Sequence, residues 1–140
     1  MSKRILIADD EPSIVAALEY LLQQGGYEVL IARNGDEALD LLEQRTPDLV
    51  LLDVMMPRKS GYEICSRIRH QAEWRHIKVI MLSAKGRDAE VNRGLAIGAD
   101  LYVTKPFSTR ELMAKIDGLL RQGLNTARPS DRADDASGKR

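Results

Sequence analysis

Short apolar runs alternate with amphipathic stretches along most of the chain, and each run has the length of a β-strand. The runs are apolar at consecutive positions, which is typical of parallel strands covered on both faces of a sheet. Five strands are predicted on this basis: Arg4–Ala8, Glu28–Ala32, Leu49–Asp53, Lys78–Leu82 and Leu101–Thr104.

The stretches between these runs carry apolar residues at helical spacing. Asn34 is placed to cap the second helix, and Ser108 with Glu111 predicts a capping box at the last one. The residues around Trp74, with His70 and His76 on either side, are expected to form a polar surface loop. The predicted helices cover Ser13–Gln24, Asn34 to about Glu43, Ser60–His70, roughly Arg87–Ile97 and Ser108 to about Gln122.

Alternating strands and helices predict an α/β fold in which helices cover both faces of a parallel sheet. Right-handed crossovers leave few ways to connect five such strands, and a doubly wound sheet is the natural arrangement. Ligands bind such sheets beyond the carboxyl ends of the strands. The carboxyl edge is therefore where a functional site is expected.

Composition sets limits on this picture. The chain has 140 residues, which suits one domain, and 44% of them are hydrophobic and 30% charged. Its formal net charge is zero, so no global field favours nucleic acid or a membrane surface. The single cysteine, Cys65, excludes an internal disulfide and fits a reducing compartment. Because no apolar stretch has the length of a signal peptide core or a membrane span, a cytoplasmic protein is expected.

The end of the chain differs in composition from the rest. From Asn125 onward there is no large apolar residue, so this segment cannot bury enough surface to offset its ordering entropy. The predicted organisation is one domain over residues 1–123 and a disordered polar tail or linker stump over 124–140.

Polar residues follow four of the predicted strands. Asp9 and Asp10 follow the first, Asp53 ends the third, Ser83 follows the fourth and Lys105 follows the fifth. Adjacent carboxylates repel each other unless a cation or a chemical task uses them, and carboxylate oxygens with water are the ligands that Mg²⁺ prefers. An aspartate becomes a useful nucleophile toward a phosphoryl group when nearby cations neutralise the charge of that group. Taken singly, each residue is more often a turn former or a surface side chain, so their joint placement carries the hypothesis.

Four segments, "LIADDEPSI", "DLVLLDVMMPRKSGYEI", "VIMLSA" and "GADLYVTKPF", resemble the receiver domain of bacterial two-component response regulators. The resemblance spans about Lys3 to Gln122. It implies a flavodoxin-like fold with strand order 2-1-3-4-5 and five helices. It also implies a phosphoprotein of a phosphorelay, in which a histidine kinase or a histidine phosphotransfer protein donates the phosphoryl group.

The resemblance implies a role for each residue that matches the family's motifs. Asp53 would be the phosphoacceptor, and it would bind Mg²⁺ together with three further groups. These are Asp10, which would bind the ion directly, Asp9, which would act mainly through a bound water, and the backbone carbonyl of Met55.

The remaining roles concern the phosphoryl group and the switch. Lys105 would contact the phosphoryl group, positioned by a cis bond to Pro106. Ser83 would be the switch hydroxyl and Tyr102 the switch aromatic residue. Phosphorylation would then bias a surface formed by the fourth helix, the fifth strand and the fifth helix.

The resemblance implies a signalling role in which the only reactions are self-phosphotransfer and autodephosphorylation. The output would be a downstream protein or a missing effector domain, with no membrane and no direct nucleic-acid binding by this chain. A phosphorylation-dependent dimer stays open, because Val91 and Leu101 stand where one branch of the family carries charged partners. Met55 and Lys85 occupy positions that tune the lifetime of the acyl phosphate.

Two alternative functions remain. The first is a phosphatase that acts on external substrates through an aspartyl-phosphate, but such enzymes generally carry a second acid where this chain has Met55. The second is a phosphate-independent interaction module on the same fold. The intact acidic cluster argues against it.

Overall fold

The computed structural model describes residues 3–84 and 88–126, in which five parallel strands form one sheet. The strand order is β2-β1-β3-β4-β5, which confirms the doubly wound topology that the resemblance implies. β1 is in register with β2 from Arg4 opposite Glu28 to Ala8 opposite Ala32. The strands are β1 (Arg4–Ala8), β2 (Glu28–Ala32), β3 (Leu49–Asp53), β4 (Lys78–Ser83) and β5 (Leu101–Thr104).

The helices agree with the predicted ones to within a few residues. Asn34 accepts a hydrogen bond from the N–H of Glu37 at 2.9 Å, and Ser108 accepts one from the N–H of Glu111 at 3.1 Å. These two contacts confirm the predicted caps. The helices are α1 (Pro12–Gln24), α2 (Gly35–Gln44), α3 (Gly61–His70), α4 (Asp88–Ile97) and α5 (Thr109–Thr126).

Two hydrophobic clusters fill the space between the sheet and its helices. Successive strand residues point to opposite faces, so Ile5 and Leu6 belong to different clusters although both are fully buried. One face packs against α2, α3 and α4, and the other against α1 and α5. The continuous apolar strands are explained by this double covering.

The structure differs from the prediction in three places. β4 is one residue longer, so Ser83 is its last residue and does not follow the strand. The segment predicted as a polar loop contains a short 3₁₀ helix, Ala72–Trp74, and the Trp74 ring is buried in the core while His70 and His76 are exposed. α5 continues to Thr126, past its predicted end, and the rest of the proposed tail lies outside the described residues, as do Lys85 and Arg87.

A hydrogen-bonded ion pair joins several elements at the amino-terminal edge of the sheet. The Arg69 guanidinium donates to Asp100 Oδ2 at 2.9 Å, and the same oxygen accepts the N–H of Val79 at 2.8 Å. Arg69 also donates to the carbonyl oxygens of Gly98 at 2.8 Å and Ile77 at 2.7 Å. The end of α3, the end of α4 and the starts of β4 and β5 are thereby joined.

None of the helices in the described part of the chain combines the length and the apolar character needed to cross a bilayer. Cys65 lies fully buried in α3, where it acts as a small core side chain, as a single structural cysteine commonly does.

Candidate functional site

The carboxyl ends of β1 and β3 bring three aspartates together. Asp9 directly follows β1 and is fully buried, Asp53 is the last residue of β3 and is 5% exposed, and Asp10 is exposed beside them. Each offers a carboxylate oxygen, and these three oxygens lie within 4.8 Å of one another. The predicted acidic cluster is therefore present at this edge of the sheet.

Asp9 is fixed by the turn between β1 and α1. Its own N–H donates to the carbonyl oxygen of Ala32 at 3.1 Å, and its Oδ1 accepts the N–H of Glu11 at 2.9 Å. Pro12 then begins α1, where a missing N–H costs nothing. The turn leaves Asp9 Oδ2 buried with no hydrogen bond among the described residues, although Lys105 Nζ lies 3.1 Å away.

Asp53 is held in an environment that disfavours its ionised form. Burial, the negative charge of Asp9 and, to a smaller extent, that of Asp10 raise its pKa from 3.8 to about 6. The N–H of Met55, which donates to Asp53 Oδ1 at 3.2 Å, and the charge of Lys105 oppose this shift. Asp53 is therefore largely ionised at neutral pH, although burial and the neighbouring carboxylates destabilise its ionised form.

The loop after Asp53 folds back tightly onto the strand. The N–H of Gly61 donates to the carbonyl oxygen of Val54 at 2.9 Å. A Cβ atom at position 61 would lie only 2.5 Å from the carbonyl oxygen of Asp53, so the close approach requires glycine. This contact sets the first turn of α3 against the end of β3.

Lys105 reaches the acidic cluster from the end of β5. Its backbone N–H donates to the carbonyl oxygen of Ser83 at 2.7 Å, and its peptide bond to Pro106 is cis, as the resemblance implied. Its ammonium nitrogen lies 2.7 Å from Glu11 Oε1, 3.1 Å from Asp9 Oδ2 and 3.6 Å from Asp53 Oδ1. Burial by itself lowers the pKa of Lys105, but the hydrogen bond to Glu11 and the surrounding carboxylates outweigh it and raise the pKa.

The two residues expected to form the switch lie on neighbouring strands. Ser83 is buried at the end of β4, opposite Thr104 of β5. Tyr102 is half-buried in β5, and its ring lies under α4, where a Cβ atom at Gly94 would come within 3.0 Å of it. A hydrogen bond between Tyr102 and Tyr62, with burial as the larger cause, raises the pKa of Tyr62. Tyr102 thus touches both α3 and α4.

The donor set fits a hard divalent cation. All three cluster ligands are carboxylate oxygens, which such ions prefer, and one lysine does not neutralise them. The buried Asp9 Oδ2 lies 3.1 Å from the Lys105 ammonium group, which it shares with Glu11 and Asp53, so a further cation would help to satisfy this oxygen. The structure thus provides a group of aspartates able to hold a metal ion.

The structure places every predicted site residue at or next to this edge. Sequence reasoning missed Glu11, whose carboxylate is the nearest partner of Lys105, and Tyr62, which contacts Tyr102. The position of Glu11, next to Asp10 at the same strand end, was the available signal. No pattern in the sequence pointed to Tyr62.

Comparison with known proteins gives a consistent answer. A family profile described as the response regulator receiver domain matches residues 5–117. The chain is 43% identical over 135 residues to the alkaline phosphatase synthesis transcriptional regulatory protein PhoP of Bacillus subtilis, covering 96% of this chain and 55% of that protein. It is 46% identical over 122 residues to the phosphate regulon transcriptional regulatory protein PhoB of Rhizobium meliloti, covering 87% and 54%. The chain therefore spans about half the length of these curated relatives.

The structural comparison agrees. The chain superposes on a CheY-like response regulator receiver domain protein from Methanospirillum hungatei with a TM-score of 0.84 and 31% identity, covering 90% of this chain and 99% of that one. Sequence and structural comparison thus both relate the chain to receiver domains.

Proposed function

We propose that Asp53 accepts a phosphoryl group, because this chain belongs to the response regulator receiver family. The donor would be the phosphohistidine of a histidine kinase or of a histidine phosphotransfer protein. The observation that carries this proposal is the placement of a buried carboxylate, Asp53, beside two further aspartates and 3.6 Å from Lys105. This arrangement supplies a nucleophile and an ammonium group within reach of one incoming phosphoryl group.

Mg²⁺ is the proposed cation. Asp10, Asp53, Asp9 through water, and the backbone carbonyl of Met55 would hold it, and the bound ion would neutralise charge on the phosphoryl oxygens. The spacing of their carboxylate oxygens supports the three aspartates, and the Met55 carbonyl is included because of the family resemblance.

The reaction requires the ionised form of Asp53. One carboxylate oxygen attacks phosphorus, an acyl phosphate bond forms, and the phosphorus–nitrogen bond to the donor imidazole breaks. Lys105 offsets the charge of the transferred group, and Ser83 would donate a hydrogen bond to one phosphoryl oxygen. The chain's own covalent chemistry would be confined to this transfer and to later hydrolysis of the acyl phosphate.

The phosphorylated state would be read at the surface of α4, β5 and α5. Tyr102 is suited to relay the change because it lies under α4 at Gly94 and contacts Tyr62 of α3. The output would be a downstream protein or an effector domain, and a domain boundary near residue 123 is part of the proposal. The curated relatives are named as transcriptional regulators, and this chain corresponds to about half of each.

Labelling by a small phosphodonor tests this function. The chain incubated with radiolabelled acetyl phosphate is expected to acquire label with Mg²⁺ and none with EDTA. Asp53→Asn removes the nucleophile and should abolish labelling, whereas Asp40→Asn, which changes an exposed aspartate of α2, should label like the wild type. Labelling of Asp53→Asn at the wild-type level would overturn the assignment of the acceptor.

An external phosphatase activity is not supported by the site. The side chain of Met55, at the position where a second acid would protonate a leaving group, is 64% exposed and carries no proton donor. Turnover of a generic phosphate ester by the wild-type chain, lost in Asp53→Asn, would revive that alternative.

A further inference from the structure

Lys105 is shared among three carboxylates, and the nearest of them is not one of the predicted site residues. Its ammonium nitrogen lies 2.7 Å from Glu11 Oε1 but 3.6 Å from Asp53 Oδ1, the proposed acceptor. The Lys105 side chain is 11% exposed, whereas Glu11 is 54% exposed at the rim of the site. The closest contact of the Lys105 ammonium group is therefore the partly exposed carboxylate of Glu11 and not the carboxylate of the proposed acceptor.

The backbone explains why Glu11 occupies this place. Its N–H donates to Asp9 Oδ1 at 2.9 Å, and α1 begins at the next residue. The turn that fixes Asp9 thus also fixes the base of the Glu11 side chain on the side of Lys105. The contact joins residues 94 positions apart in the sequence, which no local pattern reveals.

We infer that Glu11 is a positioning residue that holds Lys105 at the rim of the unphosphorylated site and competes with the incoming phosphoryl group for it. This inference rests on the proposed function and names a regulator of the same site. In the resting chain, Glu11 and Asp9 share the ammonium group. In the phosphorylated chain, the phosphoryl oxygens on Asp53 take it over, and Glu11 returns to solvent. No covalent step is added.

Competition for Lys105 predicts that removing the Glu11 charge changes the rate of phosphorylation but not the rate of dephosphorylation. Breaking a partly exposed ion pair costs up to about 1 kcal/mol, so Glu11→Gln should speed phosphorylation by a small donor by up to about fivefold. The rate at which label is lost after donor removal should not change, because Lys105 is then held by the phosphoryl group. Glu43→Gln, the same change at an exposed position of α2, is the matched control and should leave both rates unchanged.

Two donors separate this competition from a general charge effect. Acetyl phosphate carries more negative charge than phosphoramidate at neutral pH, so a simple loss of repulsion would speed the first donor more than the second. Release of Lys105 should speed both by the same factor. Unchanged rates with both donors, a rise confined to acetyl phosphate, or an equal rise in the loss of label would each overturn the inference.

A measurement on the unphosphorylated chain is independent of the proposed function. With ¹³C-labelled glutamate, the side-chain carboxyl resonance of Glu11 should shift between the wild type and Lys105→Met, while that of Glu43 should stay in place. A Glu11 resonance that does not respond would overturn the inference even if Asp53 is phosphorylated. If no donor labels the wild type, the proposed function fails, and this spectrum still decides whether Glu11 holds Lys105.

Discussion

The two edges of the sheet differ in how their charged groups are paired. At the amino-terminal edge, Asp100 accepts hydrogen bonds from Val79 and Arg69, and Arg69 is also bound by the carbonyl oxygens of Gly98 and Ile77. At the carboxyl edge, three aspartates offer carboxylate oxygens within 4.8 Å of one another, and two of them, Asp9 and Asp53, share Lys105 with Glu11. The first edge satisfies its charges, and the second carries an excess of negative charge.

This difference separates stability from function. Satisfied ion pairs hold elements in one arrangement, and breaking one of them leaves a partner without compensation. An excess of like charge weakens the folded state but creates a demand for a cation and for a group that accepts charge. The amino edge is accordingly expected to control the stability of the fold, and the carboxyl edge its reactivity.

Removing Arg69 should have the largest effect on stability. Arg69→Met leaves Asp100 and three carbonyl groups without the Arg69 donor, so the free energy of unfolding should fall by about 3 kcal/mol. Arg67→Met, two residues earlier on the exposed side of α3, should change it by less than about 0.5 kcal/mol. Urea denaturation measures both, and equal small losses would contradict the role of the amino edge.

The carboxyl edge should respond in the opposite direction. Asp53→Asn is expected to stabilise the metal-free chain at pH 7.5 by about 2 kcal/mol, because the variant has no carboxylate whose folded-state pKa is raised. Because the raised pKa means that the folded chain binds this proton more tightly, the contribution of Asp53 is favourable below pH 3.8 and is lost as the pH rises through about 6.

The advantage of Asp53→Asn should therefore shrink as the pH falls from 6 toward 3.8. Denaturation in EDTA across this range checks the prediction, with Asp40→Asn as the exposed control. If Asp53→Asn is less stable than the wild type at pH 7.5, or if its gain in free energy of unfolding does not change with pH, the acidic cluster does not destabilise the folded chain.

A smaller effect is expected at a second contact of the amino edge. The hydroxyl of Tyr27, just before β2, hydrogen-bonds to Asp117 of α5, and burial followed by this bond raises the pKa of Tyr27 to about 12. Tyr27→Phe should lower the free energy of unfolding by about 1 kcal/mol. Tyr20→Phe, at a side chain that is 63% exposed, should leave it unchanged, and equal losses in the two variants would argue against the contact.

Most of the fold was predictable because the chain carries its signals locally. The strands are continuous apolar runs, and caps such as Asn34 mark the helix starts. The burial of Trp74 was not predictable, because the polar residues around it predict a loop and its packing depends on distant elements. The length of α5 was underestimated, because Gly123, Asn125 and Thr126 have low helix propensity.

The site was predictable as far as it depends on strand ends. Asp9, Asp53 and Lys105 could be placed on one edge because parallel strands share their carboxyl ends. The partner of Lys105 and the contact of Tyr102 with Tyr62 depend on side-chain packing between separate elements, which spacing does not encode. Strand positions were therefore enough to bring Asp9, Asp53 and Lys105 together, and side-chain packing was needed to find Glu11 beside Lys105.

A magnesium titration of the wild-type chain followed by NMR tests most directly whether this edge binds a cation. Saturable shifts of the amide resonances of Asp10, Asp53 and Met55 are expected at millimolar Mg²⁺, and these shifts should be lost in Asp10→Asn. Resonances that stay in place throughout the titration, or that shift equally in Asp10→Asn, would contradict the claim that the charge at this edge is built for a cation.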